Sequence, residues 1–523
     1  MEEKKQFLLV MDVPSIKKYV FGTDRLIEIR GASALLDDLN RKQTELFMQR
    51  HLVDSEIKCV FANGGSAQFL VKAKEGDLNR CLHALEAHFY NETKGGARLV
   101  CGKAVLTETD YQSALHKARL QSEKISQESA FVSLPMIHTG FMRECDSCSG
   151  IASQIQKYEY EDEQRIMCET CYKKASYGKE SKAGLWQDFA DYLSKNGIKA
   201  ERPKSFEEIA KKGSAPREYT ALVYADGNGM GKLIREIKSW EQFEFFSETI
   251  DAAIRTACHE ALHEVFWGAS KKNWKTLPAE ILLVGGDDLL VYLAADKALP
   301  FAIMAAEKFS QKTRQAFASS PFPLFKESLG SKGATISIGI AVGKSHTPFS
   351  LLLTQAEDLL ASAKRKGARS QSSDHFAPPT YIDYHFTSYF NQISVEDSRN
   401  NHLELQKLPA LKKIRLFHKP YSLEETKDLL SHAQKLSASK IPRTRLKRLG
   451  FAPALGKMNG TLECLKLYMR TGEKDQKALI REALLRFDCF QNMPWNEKNS
   501  EYDWTMLVDL MELTDLISTN VSN

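Results

Sequence analysis

Twice along the chain the same order of apolar and polar positions recurs. Gln6-Phe-Leu-Leu-Val-Met-Asp12 is a short apolar run that ends on an acid and leads into helical sequence. A run of this length between polar residues predicts a buried strand. Fifty-two positions after Asp12 comes Gly64, inside Phe61-Ala-Asn-Gly-Gly-Ser-Ala-Gln-Phe69, two short apolar runs around Gly-Gly. That pattern predicts a hairpin. The order returns in Thr220-Ala-Leu-Val-Tyr-Ala-Asp226 and, fifty-nine positions after Asp226, at Gly285 within Ile281-Leu-Leu-Val-Gly-Gly-Asp-Asp-Leu-Leu-Val-Tyr292. After each hairpin the spacing predicts an amphipathic helix, a strand (98–107 and 334–342) and another helix. A repeat at this scale decides the architecture. The order β-α-β-β-α-β is the ferredoxin-like arrangement used by palm domains. The expected fold class is therefore α+β: two ferredoxin-like palms, at 1–140 and 215–390, an insert with linker helices at 141–214, and a C-terminal region at 391–523 that reads as helices.

The two copies differ where chemistry would sit. In the second, Asp226 ends the first strand while Asp287 and Asp288 occupy the turn of the hairpin. Those strands are neighbours in a ferredoxin-like sheet, so three carboxylates gather at one edge. Such a cluster repels itself unless cations neutralise it, and hard oxygen ligands select Mg²⁺ or Mn²⁺. A pair of such ions can activate a 3′-hydroxyl, grip an α-phosphate and stabilise a leaving pyrophosphate. Gly285 and Gly286 permit a tight turn and leave room for a nucleotide. The turn Gly227-Asn228-Gly229 precedes a helix, so its amides are candidates to cradle a triphosphate. In the first copy the hairpin is Gly64-Gly-Ser-Ala67, without carboxylates. Asp12 alone cannot hold two metals, and that half is expected to be catalytically dead. The plain alternative for Gly-Gly-Asp-Asp is an ordinary hairpin turn. The matching acid at Asp226 and the degenerate copy argue against it. Further on, Ala356-Glu-Asp-Leu-Leu-Ala-Ser-Ala-Lys-Arg-Lys-Gly367 is a helix ending in three cations. They either complement the helix dipole or place Lys364 or Lys366 on the triphosphate.

Composition adds two things. With 523 residues, 43% hydrophobic and 27% charged, the chain suits three or four folded domains at roughly 150 residues each. A net charge of +5 neither demands nor excludes nucleic acid. The apolar runs fall far short of the roughly 20 residues that span a bilayer, and residues 7–11 are too few for a signal-peptide core. A cytoplasmic protein without membrane contact is expected. Of the ten cysteines, Cys59, Cys81, Cys101, Cys258, Cys464 and Cys489 are scattered, whereas Cys145-Asp-Ser-Cys148 and Cys168-Glu-Thr-Cys171 form two pairs nineteen residues apart. Two such turns can converge on one zinc. Four sulfur ligands leave no open position, so the zinc is expected to be structural, standing in for a core that some 30 residues cannot build.

Taken in order, these motifs resemble the large subunit of type III CRISPR effector complexes. Asp12-Val-Pro-Ser-Ile-Lys-Lys-Tyr-Val-Phe21 and Leu26-Ile-Glu-Ile-Arg-Gly-Ala-Ser-Ala-Leu-Leu36 are similar to its first palm. The four-cysteine insert, Asp226-Gly-Asn-Gly-Met-Gly231, Gly285-Gly-Asp-Asp288 and Ile336-Ser-Ile-Gly-Ile340 follow in the same sequence. Lys419-Pro-Tyr-Ser-Leu-Glu424 and Pro442-Arg-Thr-Arg-Leu-Lys-Arg-Leu449 are similar to its terminal helical domain. The resemblance implies an enzyme that sits with other subunits and a guide RNA and, when target RNA pairs, joins ATP into cyclic oligoadenylates. It implies that Asp226 and Asp287 hold the metals, with Asp288 assisting and Lys364 on the triphosphate. Many such subunits begin with an HD nuclease domain. Here the first strand starts near residue 6 and no His-Asp dipeptide occurs, so a form without that nuclease is expected. Two other readings remain open: a stand-alone cyclase of the diguanylate (GGDEF-like) type, and a catalytically silent scaffold subunit.

Three features concern boundaries and partners. The polar segment 174–217, with Lys211-Lys-Gly-Ser-Ala-Pro216, suggests a hinge into the second palm, and polar residues 391–402 open the C-terminal region. Residues 435–448 hold six cations and no acid, either a solvated face or a contact for RNA phosphate or an acidic neighbour. Asp503, Asp509, Glu512 and Asp515 suggest an opposing acidic face.

Overall fold

The computed structural model describes residues 3–107, 110–128, 143–152, 156–160, 163–180, 184–213, 215, 218–268, 274–371, 376–387, 394–405, 413–485, 495–496 and 501–517. The first palm runs β1 (Lys5–Asp12), α1 (Ile16–Phe21), α2 (Leu26–Asp38), α3 (Thr44–His51), β2 (Glu56–Asn63), β3 (Ser66–Ala73), α4 (Glu75–Glu92), β4 (Val100–Val105) and α5 (Tyr111–Glu128). Its sheet has the order β2-β3-β1-β4, the ferredoxin-like order. The insert contributes β5 (Gln156–Tyr160), β6 (Glu163–Met167), α6 (Glu169–Glu180), α7 (Leu185–Lys195) and α8 (Phe206–Lys212). The second palm follows as β7 (Tyr219–Gly227), α9 (Met230–Glu236), α10 (Trp240–His263), β8 (Ala279–Gly285), β9 (Asp288–Ala294), α11 (Ala295–Ala318), α12 (Pro323–Leu329), β10 (Ile336–Lys344), α13 (Phe349–Arg369) and β11 (Tyr381–Phe386). Its sheet repeats the order as β10-β7-β9-β8 and extends it with β11.

The first strand of each palm is a continuous apolar run because both of its faces are covered. In β1, Phe7, Leu9 and Met11 share one core with Ile29 and Leu35 of α2 and Leu82 and Leu85 of α4. Leu8 and Val10 point the other way, into a core with Leu115 and Ala118 of α5. In β7, Leu222 and Tyr224 belong to the first of these cores and Val223 and Ala225 to the second. The palms are thus packed together, not strung apart. Glu280 of β8, fully buried, fixes the junction: it accepts from Arg30 of α2 at 2.6 and 2.9 Å and from Arg202 of the linker at 2.5 and 2.9 Å. The insert docks on the first palm where α6 crosses α2 at two glycines. A Cβ on Gly31 would collide with the Lys174 carbonyl, and one on Gly178 with that of Ile27, so only glycine allows this approach.

The C-terminal region continues as α14 (Val395–His402), β12 (Glu404–Leu405), β13 (Lys413–Arg415), β14 (Tyr421–Ser422), α15 (Leu423–Ala438), α16 (Arg443–Phe451), α17 (Lys457–Met469), α18 (Lys474–Leu485), β15 (Tyr502–Trp504) and α19 (Leu507–Ile517). It is mostly helical, but β12, β13 and β15 form a small sheet, and β14 joins the second palm's sheet beside β11. The polar stretch after 390 is not a free linker: Arg399 of α14 makes a buried bidentate pair with Asp383 of β11 at 2.6 and 3.0 Å. The expected acidic face is corrected for two of its four members. Asp509 is fully buried, with Lys419 Nζ at 3.2 Å, and Asp503 is buried against the half-exposed Lys457 at 2.9 Å, while Glu512 pairs with Lys419 at 2.7 Å and Asp515 is exposed. The basic run is partly neutralised too, Lys435 by Glu482 and Arg448 by Glu463. The end of the first palm at 129–140, part of the hinge at 211–216 and Cys489 lie outside the described residues. Among the described residues no helix is long and apolar enough to cross a membrane.

Candidate functional site

The second palm gathers the three predicted carboxylates by register. β7 pairs with β9 through Ala225 and Leu289, and the β8–β9 hairpin closes with Gly285 opposite Asp288. Asp226, at the end of β7, therefore lies beside both hairpin aspartates, and its side chain contacts that of Asp287. Burial, then the charges of Asp226 and Asp288, push the Asp287 carboxyl up to about 7. Burial and Asp226 raise Asp288 to about 6, against the opposing pull of Lys17, Lys364 and a hydrogen bond from Tyr224. The cluster has more negative charge than its surroundings neutralise, the condition under which carboxylates take up a cation.

The glycines and lysines divide into those at the cluster and those away from it. A Cβ on Gly227 would meet the Asp287 carboxylate at 2.7 Å, so this glycine lets the hairpin close over the strand end. Asn228 is buried and engaged: its amide donates to the Thr335 carbonyl at 2.9 Å and its Nδ2 to Thr335 Oγ1 at 3.1 Å. It braces the turn, and its amide is not free for phosphate. Gly229, at φ 74°, starts α9. Gly286, at φ 62°, makes the tight turn and faces open space, but a Cβ on Gly285 would collide with the Asn63 carboxamide of the first palm. The room that Gly285 leaves is thus filled by the first palm and not left for a nucleotide. Lys364 of α13 donates to Asp226 and, at 3.1 Å, to the Gly227 carbonyl. Lys366 lies on another side of the helix, lining a groove with Arg365, Arg369, Phe417 and Lys419.

Four site neighbours escaped the sequence reading. Lys17 of α1 pairs with Glu357 of α13 at 2.6 Å and lies 4.8 Å from the Tyr224 ring centre. Tyr224 bridges Lys17 to Asp288. Asn63, at the degenerate hairpin, and Asp251, in mid-α10, meet beside Gly286. Lys17, Asn63 and Tyr224 lie inside stretches already singled out, but no spacing there marks them as site residues, and Asp251 reads as one more polar position on an amphipathic helix.

The four insert cysteines converge, with all four sulfurs within 4.8 Å of one another. Among the described residues they are the one group of three or more His, Cys, Asp or Glu side chains that does so. Hydrogen bonding among the sulfurs pulls the Cys145 thiol down and pushes those of Cys148 and Cys171 up. Four thiols this close cannot all ionise without a cation, so the donor set fits a metal ion such as zinc. The cluster is anchored to the first palm by Ser147, which donates to Glu28 at 2.7 Å.

Residues 219–373 match the family model of the second palm domain of Cas10/Cmr2. No curated protein matches the sequence. Among solved structures the chain is similar to Csm1 of T. onnurineus, with 14% identity and a TM-score of 0.56 over 99% of this chain and 70% of that one. It is similar also to the Csm1–Csm4 cassette solved in complex with cA4, at 13% identity and a TM-score of 0.56 over 98% and 70%. The Csm1–Csm4 subcomplex of the type III-A CRISPR-Csm interference complex matches at 14% identity and a TM-score of 0.56, again over 98% and 70%. The family model covers the segment that carries the carboxylates, and the structural likeness extends the shared fold over nearly the whole chain. The resemblance drawn from the ordered motifs thus stands in both.

Proposed function

We propose that the chain is the nucleotidyltransferase subunit of a type III CRISPR effector complex, converting ATP into cyclic oligoadenylates when target RNA pairs with a guide RNA. The observation that carries this reading is the cluster of Asp226, Asp287 and Asp288, raised toward neutrality by burial and mutual repulsion and closed on one side by the first palm. Asp226 and Asp287, whose carboxylates touch, would hold Mg²⁺ or Mn²⁺, with Asp288 assisting. When bound, two such ions supply hydroxyl activation and neutralisation of phosphate charge. Lys364 already serves as counter-charge to Asp226 and would transfer that role to a triphosphate. Tyr224 orients Asp288 from within the sheet. Lys17 fixes Tyr224 from the first palm, so the cluster is organised from both palms. The first palm, whose hairpin lacks carboxylates, supplies walls and positioning groups rather than metal ligands. The four cysteines would hold one structural zinc.

Adenylate as the substrate is supported by the Csm1–Csm4 cassette, which has been solved with cA4, cA3, pppApApA and AMPPNP. Assembly with other subunits is supported by an uncovered apolar strip: Phe451, Leu455, Met458, Leu462, Leu465 and Met469 are 72, 57, 78, 44, 37 and 70% exposed. A monomer rarely leaves such a strip bare. The test is mass spectrometry of nucleotides formed from ATP and Mg²⁺ or Mn²⁺ by the chain in its native assembly, with and without complementary RNA. Adenylate oligomers that require the RNA and vanish in Asp287→Ala, Asp288→Ala are expected. No product from the unaltered assembly with target RNA bound would sink the reading.

A further inference from the structure

We infer that Asn63 and Asp251 form a clamp by which the first palm holds the Gly285–Asp288 turn in shape, making both of them positioning residues. The inference rests on the proposed reaction only for what that shape serves. Asn63 is the last residue of β2, at the hairpin without carboxylates, and is 5% exposed. Its Nδ2 donates to Asp251 Oδ1, and its Oδ1 accepts from Arg41 Nη2 at 2.8 Å and from Arg255 Nη2 at 3.5 Å. Asp251 Oδ1 also accepts the backbone N–H of Gly286 at 3.1 Å, while Oδ2 accepts from Arg255 Nε at 2.9 Å. One carboxylate therefore joins a first-palm amide, a helix-borne guanidinium and the peptide N–H immediately before Asp287.

Three features single this contact out. Gly286 has no side chain and a positive φ, so it brings no packing of its own to the turn, and the hydrogen bond from its backbone N–H to Asp251 restrains its peptide plane. Gly285 cannot carry a Cβ without striking Asn63, so the two Gly-Gly turns abut at this point. Both carboxamide ends of Asn63 are used, which a residue chosen only to fill space would not require. The first palm's hairpin, which carries no carboxylates, thus supplies a group that steadies the Gly285–Asp288 turn. Displacing the Asp287 carboxylate by about 1 Å costs far more than the lost hydrogen bond, because ligand geometry is steeply distance-dependent.

The experiment is a double-mutant cycle in the full chain: Asn63→Asp, Asp251→Asn, and both together, each checked for thermal midpoint and zinc content. Two readouts are taken. Mn²⁺ alone is titrated by electron paramagnetic resonance, with Asp287→Ala, Asp288→Ala as baseline, and ATP turnover is measured in the native assembly. Asn63→Asp replaces the donor facing Asp251 by a like-charged acceptor and is expected to weaken Mn²⁺ binding by about tenfold, with kcat falling similarly and KM for ATP nearly unchanged. The double variant restores a donor–acceptor pair between positions 63 and 251, but the amide NH2 then takes the place of the oxygen that accepts from the Gly286 N–H, so it is expected to recover the thermal midpoint but not Mn²⁺ affinity or kcat. Wild-type Mn²⁺ affinity in Asn63→Asp, or full recovery of Mn²⁺ affinity in the double variant, overturns the clamp. If the unaltered chain makes no adenylate product, the nucleotidyltransferase reading fails, and the Mn²⁺ cycle still decides the clamp.

Discussion

Asp287 and Asp288 are carboxylic acids held against their ordinary ionisation, and that has a thermodynamic sign. Their native values, about 7 and 6, lie above the 3.8 of an unperturbed aspartate. Between roughly pH 4 and 7 the folded metal-free chain therefore binds more protons than the unfolded chain, and stability falls as pH rises through that window. The slope is at most about 1.4 kcal/mol per pH unit for each proton of difference. Denaturation of the zinc-loaded, Mg²⁺-free chain at several pH values should show this fall, and Asp287→Asn with Asp288→Asn should flatten it. An unchanged slope in that variant would mean that other groups carry the pH dependence. These aspartates were legible in the sequence because each stands at a strand end or in a turn, where an acid has no packing role. Asn63, Asp251, Lys17 and Tyr224 were not, because their roles arise from one palm packing on the other, and local pattern carries no record of that.

Element by element, the repeated β-α-β-β-α-β order was readable because the central strands are buried on both faces and the hairpins carry Gly-Gly. What periodicity could not give was the junction. Arg30 reads as a helix-surface cation and Glu280 as a polar start to a strand, yet together with Arg202 they form a buried group. Burial pushes the Glu280 carboxyl up, but the Arg202 and Arg30 guanidiniums outweigh it and hold it below the usual range. Arg30→Met should destabilise the chain by about 3 kcal/mol, the lower end for a broken buried pair, since Arg202 remains. Urea denaturation measures it, and a cost below about 1 kcal/mol would mean that Arg202 alone satisfies Glu280. The short strands β12, β13 and β15 were missed for a simpler reason. Two or three residues cannot display a period of two.

At the scale of the whole molecule, the palms, the cysteine insert and the C-terminal helices are joined by buried charges as much as by apolar packing. The exception is the bare strip on α16, α17 and the turn between them. A single charge there, Met458→Glu or Leu462→Glu, is expected to leave the thermal midpoint of the isolated chain within about 1 °C, because neither side chain packs on its own core. The same change should weaken recovery of the chain in its native assembly by tenfold or more, read by size-exclusion chromatography, as expected for an uncovered interface core. Undiminished assembly would assign the strip no part in it. The basic run beside it and the buried Asp503 and Asp509 show how far a charge count along the chain can mislead. The cations there are partly paired, and these two acids are taken up by Lys457 and Lys419.

The two residues of β14, Tyr421 and Ser422, pair with Tyr381 and Ile382 at the outer margin of the second palm's sheet. Their consequence is protective. β11 would otherwise present unpaired N–H and C=O groups to solvent, an invitation to strands of other chains. Tyr421 is itself fully buried beside Tyr384, its hydroxyl donating to Asp509. A second palm excised at residue 390 would lose this covering strand, the arginine that neutralises Asp383 and the helix that receives Tyr384, all at once. The terminal region is thus the selvedge of that sheet, the woven margin that keeps its edge from unravelling into its neighbours.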